Sequence, residues 1–450
     1  MGEQGDIGYY LVAIVVGAIT GLIGTVLHVG VDQALHWPQA LRRVVDLDGP
    51  HFLLLAGAVA AALVVVSVFI VRTFAPEAGG SGVQEIEGAM EGKRAVRWRR
   101  ILPVKFFGGF LALGSGLVIG REGPTIHMGS SVAQAASGWL RFGTRDNRGL
   151  LAAGAAAGLA AAFNAPLASI LFVIEETRRQ FPYCLKTYTA VMLASVSSGI
   201  VTEALTGRRP FLMVDVPEIP LTFLPAFVGL GILLGIIGVV FNRCLVWSMD
   251  RALAVGTRTS FYIVPAVVGF LVGILLVLLP EATMGGEHLA VRLVTDQMPL
   301  VVLAVVVLLR FIMTMASYST GVPGGIFAPI LALATAVGLL YGVVIDIYLP
   351  LPAGALPALA VAAMGGLFSS TVRAPLVGVV LIAELTGAYS VMVPAIVTCL
   401  LANAVADRLG GRPIYEVLLE RTLRLAGTTP GHSDGATADS NRQLGGWDQR

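Results

Sequence analysis

Leu117-Val118-Ile119-Gly120-Arg121-Glu122-Gly123-Pro124-Thr125-Ile126-His127-Met128 sets a glutamate inside apolar sequence, with glycines nearby and a proline two residues on. A carboxylate at membrane depth costs about 2.5–3.5 kcal/mol on insertion scales, so such a group usually faces a cavity or pathway and has a task there. The flanking Gly and Pro predict that the helix is interrupted. A broken helix with an acid at the break points to an ion site rather than a lipid-facing wall. A structural ion pair with Arg121 is the bland alternative; it is disfavoured because adjacent residues on a helix do not face each other.

The rest of the chain supplies the membrane. Its 450 residues are 56% hydrophobic and 13% charged, with mean hydropathy +0.82, where a soluble domain is about 25% charged. Long apolar segments recur near 9–30, 51–75, 101–119, 150–174, 187–206, 221–242, 261–279, 299–316, 325–348, 355–384 and 389–406. The length rule reads these as roughly ten or more membrane segments of an all-α polytopic protein. Many are cut by Gly or Pro, as at Gly79-Gly80, Pro124, Pro166, Pro323 to Pro329 and Pro375, and small residues such as Gly154 to Gly158 allow close helix packing. A net charge of +2 gives no reason to expect a nucleic-acid partner. Cys184, Cys244 and Cys399 lack metal-type spacing and read as small buried hydrophobes, so no metal or cofactor is expected. The basic cluster Lys93, Arg94, Arg97, Arg99 and Arg100 favours a cytoplasmic loop.

The N-terminus lacks the basic region of a signal peptide, so the run from Tyr9 to about Val29 is read as a retained first helix. The expected organisation is a short tail over 1–8, a first membrane repeat over 9–206 and a polar, Pro-containing linker over 207–220. A second repeat follows over 221–424, then a polar tail over 425–450 expected to be disordered.

The repeat is visible in the residues. Ala165-Pro166-Leu167 through Glu175 resembles Ala374-Pro375-Leu376 through Glu384 at an offset of 209, and Lys105, Gly116, Gly120 and Pro124 match Arg310, Gly321, Gly325 and Pro329 at 205. Repeated halves with interrupted helices place a transport site where the corresponding breaks meet. Similarity alone does not show whether the repeat is inverted. A helix N-terminus exposes unpaired N–H groups and carries roughly half a positive charge. Converging ends at Gly324-Gly325-Ile326-Phe327-Ala328-Pro329 and Gly79-Gly80-Ser81-Gly82 would therefore hold an anion such as chloride. Glu122, when ionised, can occupy such a site itself and, when protonated, leaves it; anion and proton then compete through one side chain.

Gly120-Arg121-Glu122-Gly123-Pro124, Gly324 to Pro329 and Gly80-Ser81-Gly82 resemble the three signature segments of the CLC chloride channel and transporter family. Pro76 to Gly82, Leu102 to Gly109 and Gly154 to Leu167 resemble its bacterial members, and the likeness runs from about residue 10 to 425. The resemblance implies a CLC-type fold of two inverted repeats of tilted and broken helices, and a homodimer with one pathway per subunit. It implies chloride as the bound substrate, held by Ser81, the Ile326 and Phe327 amides, and Tyr415 in Gly411-Arg412-Pro413-Ile414-Tyr415. Glu122 would be the gate and external proton site, and Glu176 the internal proton-transfer group. Those roles imply an electrogenic chloride–proton antiporter, with a passive voltage- or pH-gated chloride channel of the same fold as the runner-up. Two departures bear on this. Gln84 stands where the family's first motif usually has Pro, and the stretch after Tyr415 is too short for paired regulatory domains.

Blander readings stand beside these. Glu175 and Glu384 read as helix-end acids in solvated loops, Lys105 and Arg310 as groups balancing buried charge or dipoles, and Tyr415 as an interfacial anchor. Gly79-Gly80-Ser81-Gly82 also fits an intramembrane serine protease, which needs a histidine within reach of the serine; His127 is the candidate. That reading leaves Glu122 and the repeat without a role.

Overall fold

The computed structural model describes residues 3–45, 49–207, 216–217, 219–255, 260–286 and 298–427. Most of the linker (208–215 and 218) and the tail from 428 onward lie outside the described residues. The chain is helical throughout: α1 (Glu3–Ala34), α2 (Trp37–Val44), α3 (Gly49–Phe74), α4 (Val83–Met90), α5 (Trp98–Gly114), α6 (Glu122–Leu140), α7 (Thr144–Phe163), α8 (Pro166–Glu176) and α9 (Leu185–Thr206). The second half continues with α10 (Leu224–Ala254), α11 (Ser260–Leu278), α12 (Leu300–Ser319), α13 (Phe327–Tyr348), α14 (Ala355–Val372), α15 (Pro375–Thr386), α16 (Met392–Arg408) and α17 (Ile414–Leu425). Among the described residues nine helical stretches are long and apolar enough to cross a bilayer. The first helix starts at Glu3, upstream of its apolar run.

Two apolar runs that look continuous in sequence are split. α7 stops at Asn164 in the left-handed conformation and α8 starts at Pro166; α14 stops at Arg373, also left-handed, and α15 starts at Pro375. The proline biases the residue before it away from helical geometry, so Ala165 and Ala374 are where the chain turns. The innermost helices carry almost no charge. Gly149 to Phe163 of α7 and Ala358 to Val372 of α14 are buried throughout, whereas α1, α3, α9 and α10 turn Leu11, Phe69, Ile200 and Val240 outward. α6 and α7 cross closely because Gly129 and Gly154 meet backbone to backbone; a Cβ on either would strike the other's carbonyl oxygen.

The two halves run in opposite directions. Glu175, at the C-terminal end of α8, accepts hydrogen bonds from the Leu376 and Val377 amides (3.3 and 2.8 Å) at the head of α15. Glu384, near the C-terminal end of α15, accepts from the Leu167 and Ala168 amides (3.0 and 2.7 Å) at the head of α8. Each helix starts beside the other's end, so they are antiparallel and the repeat is inverted. This corrects the reading of Glu175 and Glu384 as solvated-loop acids: they are reciprocal caps that satisfy helix-terminal N–H groups. The same two-fold relation appears at the centre, where Gly120 N–H donates to Gly325 O (2.8 Å) and Gly325 N–H donates to Gly120 O (2.6 Å). A further matched pair, Pro76-Glu77-Ala78 and Pro280-Glu281-Ala282, forms one short 3-10 turn in each half.

Basic residues gather on one face. Trp98 packs edge-on against Trp139 (5.6 Å between centroids), Arg179 pairs with Glu416 (2.8 Å), and Arg94, Arg97 and Arg421 line one cavity. The positive-inside rule makes this the cytoplasmic face. On the opposite face a cavity of about 560 Å³ is lined by Asp32, His36, Arg121 and Glu281.

Candidate functional site

Four helix N-termini converge at the centre: α4 behind Ser81, α6 at Glu122, α13 at Phe327 and α17 at Ile414-Tyr415. Contacts tie them together. A Cβ on Gly123 would lie 2.7 Å from both the carbonyl oxygen and the Oγ of Ser81, and one on Gly325 would lie 2.9 Å from the Gly123 nitrogen. Tyr415 reaches Ser81 and lies within electrostatic range of both Glu122 and Glu176. Ser81, Glu122, Ile326, Phe327 and Tyr415 are all buried. The structure thus gathers at one point every residue that the sequence proposes for the anion and its gate. The Ile326 and Phe327 amides head α13, where the first N–H groups of a helix have no partner within it.

The Glu122 carboxylate is already seated among these donors: its Oε1 accepts a hydrogen bond from the Ala328 amide in the first turn of α13. A charge-assisted bond at the positive end of a helix is a favourable place for an anion. Gly120 makes room for it, since a Cβ there would fall on the carboxylate oxygens. Arg121 turns away from its neighbour toward Asp32 of α1 (Nη1 to Oδ1, 3.7 Å). Arg121 and Glu122 thus reach toward different partners, Asp32 and the Ala328 amide.

Aromatic rings close the space on the cytoplasmic side of this seat. Phe327 packs against Phe368 (4.4 Å), Phe163 (5.0 Å) and Phe172 (5.9 Å), and Phe172 meets Tyr415 edge-on (6.4 Å). Glu176 lies one helical turn beyond Phe172 on α8 and lines an inner cavity of about 160 Å³. Its carboxyl lies beside that of Glu87 on α4, and both line this cavity. Two neighbouring carboxylates repel when both are ionised, so the pair is suited to holding one proton between them. At the rim of the same cavity, Glu420 is held below the usual carboxylate range by hydrogen bonds and charge from Arg412. Glu91 is also held low: burial opposes this, but hydrogen bonds from Lys93 and Gln180 prevail. The cavity thus holds salt-bridged acids at its rim and a close pair of carboxyls, Glu87 and Glu176, at its depth.

Sequence reasoning missed Glu87. Its signal was present: Glu87 on the short helix that follows the serine motif and Glu91 at that helix's C-cap are four apart. The reading of Lys105 and Arg310 is sharpened. Lys105 Nζ donates to the Gly80 and Ser81 carbonyls (2.6 and 3.1 Å), and Arg310 donates to the matching Met284 and Gly285 carbonyls (3.2 and 2.9 Å). Each cation pins the backbone that leads into a helix break. His127 packs against Gly82, yet Ser81 Oγ and His127 Nδ1 are not hydrogen-bonded to each other. The serine is therefore not activated as a protease dyad requires.

The family model described as voltage gated chloride channel matches residues 62–407. The chain is 42% identical over 422 residues to the "H(+)/Cl(-) exchange transporter ClcA" of Vibrio parahaemolyticus, covering 92% of this chain and 90% of that protein. It is 42% identical over 432 residues to the protein of the same name in Salmonella paratyphi B, covering 94% and 90%. Among solved structures it resembles a slow cyanobacterial Cl-/H+ antiporter, with a TM-score of 0.88 and 36% identity over 92% of this chain and 98% of the other.

Proposed function

The chain belongs to the voltage-gated chloride channel family, and we propose that as a member of it this protein is a secondary active antiporter exchanging chloride for protons across the cell inner membrane. The observation that carries the reading is the Glu122 carboxylate seated on the Ala328 amide. A titratable acid occupies a position whose donors suit a halide. As pH falls and Glu122 takes up a proton, its hold on the amide is lost and the seat passes to chloride. When chloride leaves, the carboxylate returns and releases its proton.

Chloride is held by the Ser81 and Tyr415 hydroxyls and the Ile326 and Phe327 amides. Protons reach Glu122 from the cytoplasmic side through Glu176, whose carboxyl lies beside that of Glu87. The anion and proton routes divide below Tyr415, because the aromatic rings there leave no polar continuation for an ion. Anion and proton moving oppositely transfer charge of the same sign, so the exchange is electrogenic. All these groups come from one chain, which fits a homodimer with an independent pathway in each subunit. The acid at 176 and the exchangers among the relatives favour exchange over the passive channel.

Reconstitution in liposomes with a chloride gradient tests this. Chloride running down its gradient is expected to drive protons uphill, read as a pH change in a weakly buffered lumen. Chloride flux without proton movement would leave the passive channel instead.

A further inference from the structure

Tyr415 stands on a helix that the repeat does not support. α9 and α16 each follow the capped α8–α15 pair, and α17 comes after them with no counterpart among the described residues of the first half. Its N-cap is Pro413, which has no side-chain acceptor to offer the first turn. The start of α17 is instead fixed from outside, by α10. Val239, Asn242 and Arg243 share one face of α10, at positions i, i+3 and i+4. Each meets the segment that leads into α17. A Cβ on Gly411 would stand 2.8 Å from Val239 Cγ2, Arg243 donates to Leu409 O (3.2 Å), and Asn242 Nδ2 donates to Arg412 O (3.1 Å). Asn242 Nδ2 also donates to Thr371 O at the end of α14 (2.9 Å). Both partners are carbonyl oxygens, so only the carboxamide nitrogen can face them. Asn242 is buried and its base is rigid: one turn earlier, a Cβ on Gly238 would strike the Ser370 side chain, and Ser370 donates to Leu234 O (2.9 Å).

We propose that Asn242 is a positioning residue for chloride binding: it ties the lead into α17 to the end of α14 and so sets where the Tyr415 hydroxyl stands at the anion seat. Arg412 is three residues before Tyr415, and Pro413 between them has a fixed φ, so a displacement at Arg412 passes into the first turn of α17. The other tether leads to the same place. Phe368 lies one turn before Thr371 on α14 and packs against Phe327 (4.4 Å). One carboxamide thus holds the supports of Tyr415 and Phe327 in a common frame. Eight residues further along α10, Asp250 pairs with Arg421 of α17 (2.8 Å) at the cytoplasmic end, which makes Asn242 the buried hold nearer the seat. The proposal rests on the reading of Tyr415 as a chloride ligand.

The test is a double-mutant cycle on the purified full-length protein, with chloride affinity read by calorimetric titration with sodium chloride and stability by thermal unfolding. Asn242→Leu keeps the volume and removes the donor. It is expected to weaken chloride binding about threefold to tenfold, the weight of one hydrogen bond. In a Tyr415→Leu background the same substitution is expected to change affinity by less than about twofold, because the group it positions is gone. The unfolding temperature should fall equally in both backgrounds. Asn242→Ser, which keeps a polar group in the site but not its reach, runs the same cycle if Asn242→Leu does not fold. Non-additive affinity beside additive stability supports the role. A purely structural asparagine would leave affinity unmoved or lower it equally in both backgrounds, and either result overturns the proposal. A silent Asn242→Leu beside a weakened Tyr415→Leu removes the positioning role alone. Wild-type affinity in Tyr415→Leu itself removes Tyr415 as a chloride ligand, and the positioning role with it.

Discussion

At the break before α6 the second residue after the shared glycine is Glu122; at the break before α13 it is Phe327. The backbones match, since Gly120 and Gly325 exchange two hydrogen bonds across the pseudo-two-fold axis. The side chains do not: one half carries the titratable group, and the other supplies the helix head on which it sits. The α8–α15 pair repeats the lesson. Glu175 and Glu384 are equivalent and cap each other's helices, but the next residue is Glu176 in one half and Leu385 in the other. Residues that hold the architecture occur twice, and the residues proposed for the ion path occur once. Transport has a direction, so its two ends require different chemistry, whereas an inverted frame requires the same supports at both.

This contrast can be broken by experiment. The largest effect is expected at the unmatched acids. Glu122→Gln should reduce proton movement to baseline and make chloride flux independent of pH, where the wild-type flux rises as pH falls and Glu122 is protonated. Phe327→Leu should retain proton coupling, measured in the same liposomes; loss of coupling there would erase the distinction between the halves. Glu176→Gln should likewise stop proton movement while chloride flux persists.

Next come the matched cations. Lys105→Met removes the donor to the Gly80 and Ser81 carbonyls. Hydrogen bonds to a charged group contribute about 1.5–3 kcal/mol, so chloride affinity is expected to fall by on the order of tenfold or more. Arg310→Met should lower thermal stability by a similar free energy without moving chloride affinity, because its carbonyls lie away from the anion seat. Equal affinity losses in the two variants would contradict the asymmetry. A smaller change is expected for Gly120→Ala, whose methyl group would displace the Glu122 carboxylate. Chloride flux at neutral pH should rise several-fold and its pH dependence should flatten. The smallest effect belongs to the matched caps: Glu175→Gln and Glu384→Gln should each cost about 1 kcal/mol or less by thermal unfolding and leave the proton-to-chloride ratio intact.

Much of this was legible in the residues because membrane burial makes polar groups informative. Glu122, Ser81, Tyr415 and the Ile326-Phe327 break stood out against apolar flanks, and the structure brings them to one place. Glu87 did not stand out, since it sits in a locally polar run, Gln84-Glu85-Ile86-Glu87, and acquires meaning only from Glu176 on another helix. Glu175 and Glu384 were misread for the same reason. An acid at a helix end looks solvated until the opposing helix is placed. The Pro-Glu-Ala pair at 76 and 280 was a readable sign of the repeat, hidden by the dissimilar residues that follow it.

By itself the sequence determined that the chain is a membrane protein, that its halves repeat, and that its helices break at glycine and proline, because hydropathy, length and backbone freedom are local properties. The tertiary structure decided the direction of the halves, the seating of Glu122 on the opposite half's helix and the pairing of Glu87 with Glu176. Each of these depends on groups more than eighty residues apart, and only packing sets where such groups meet.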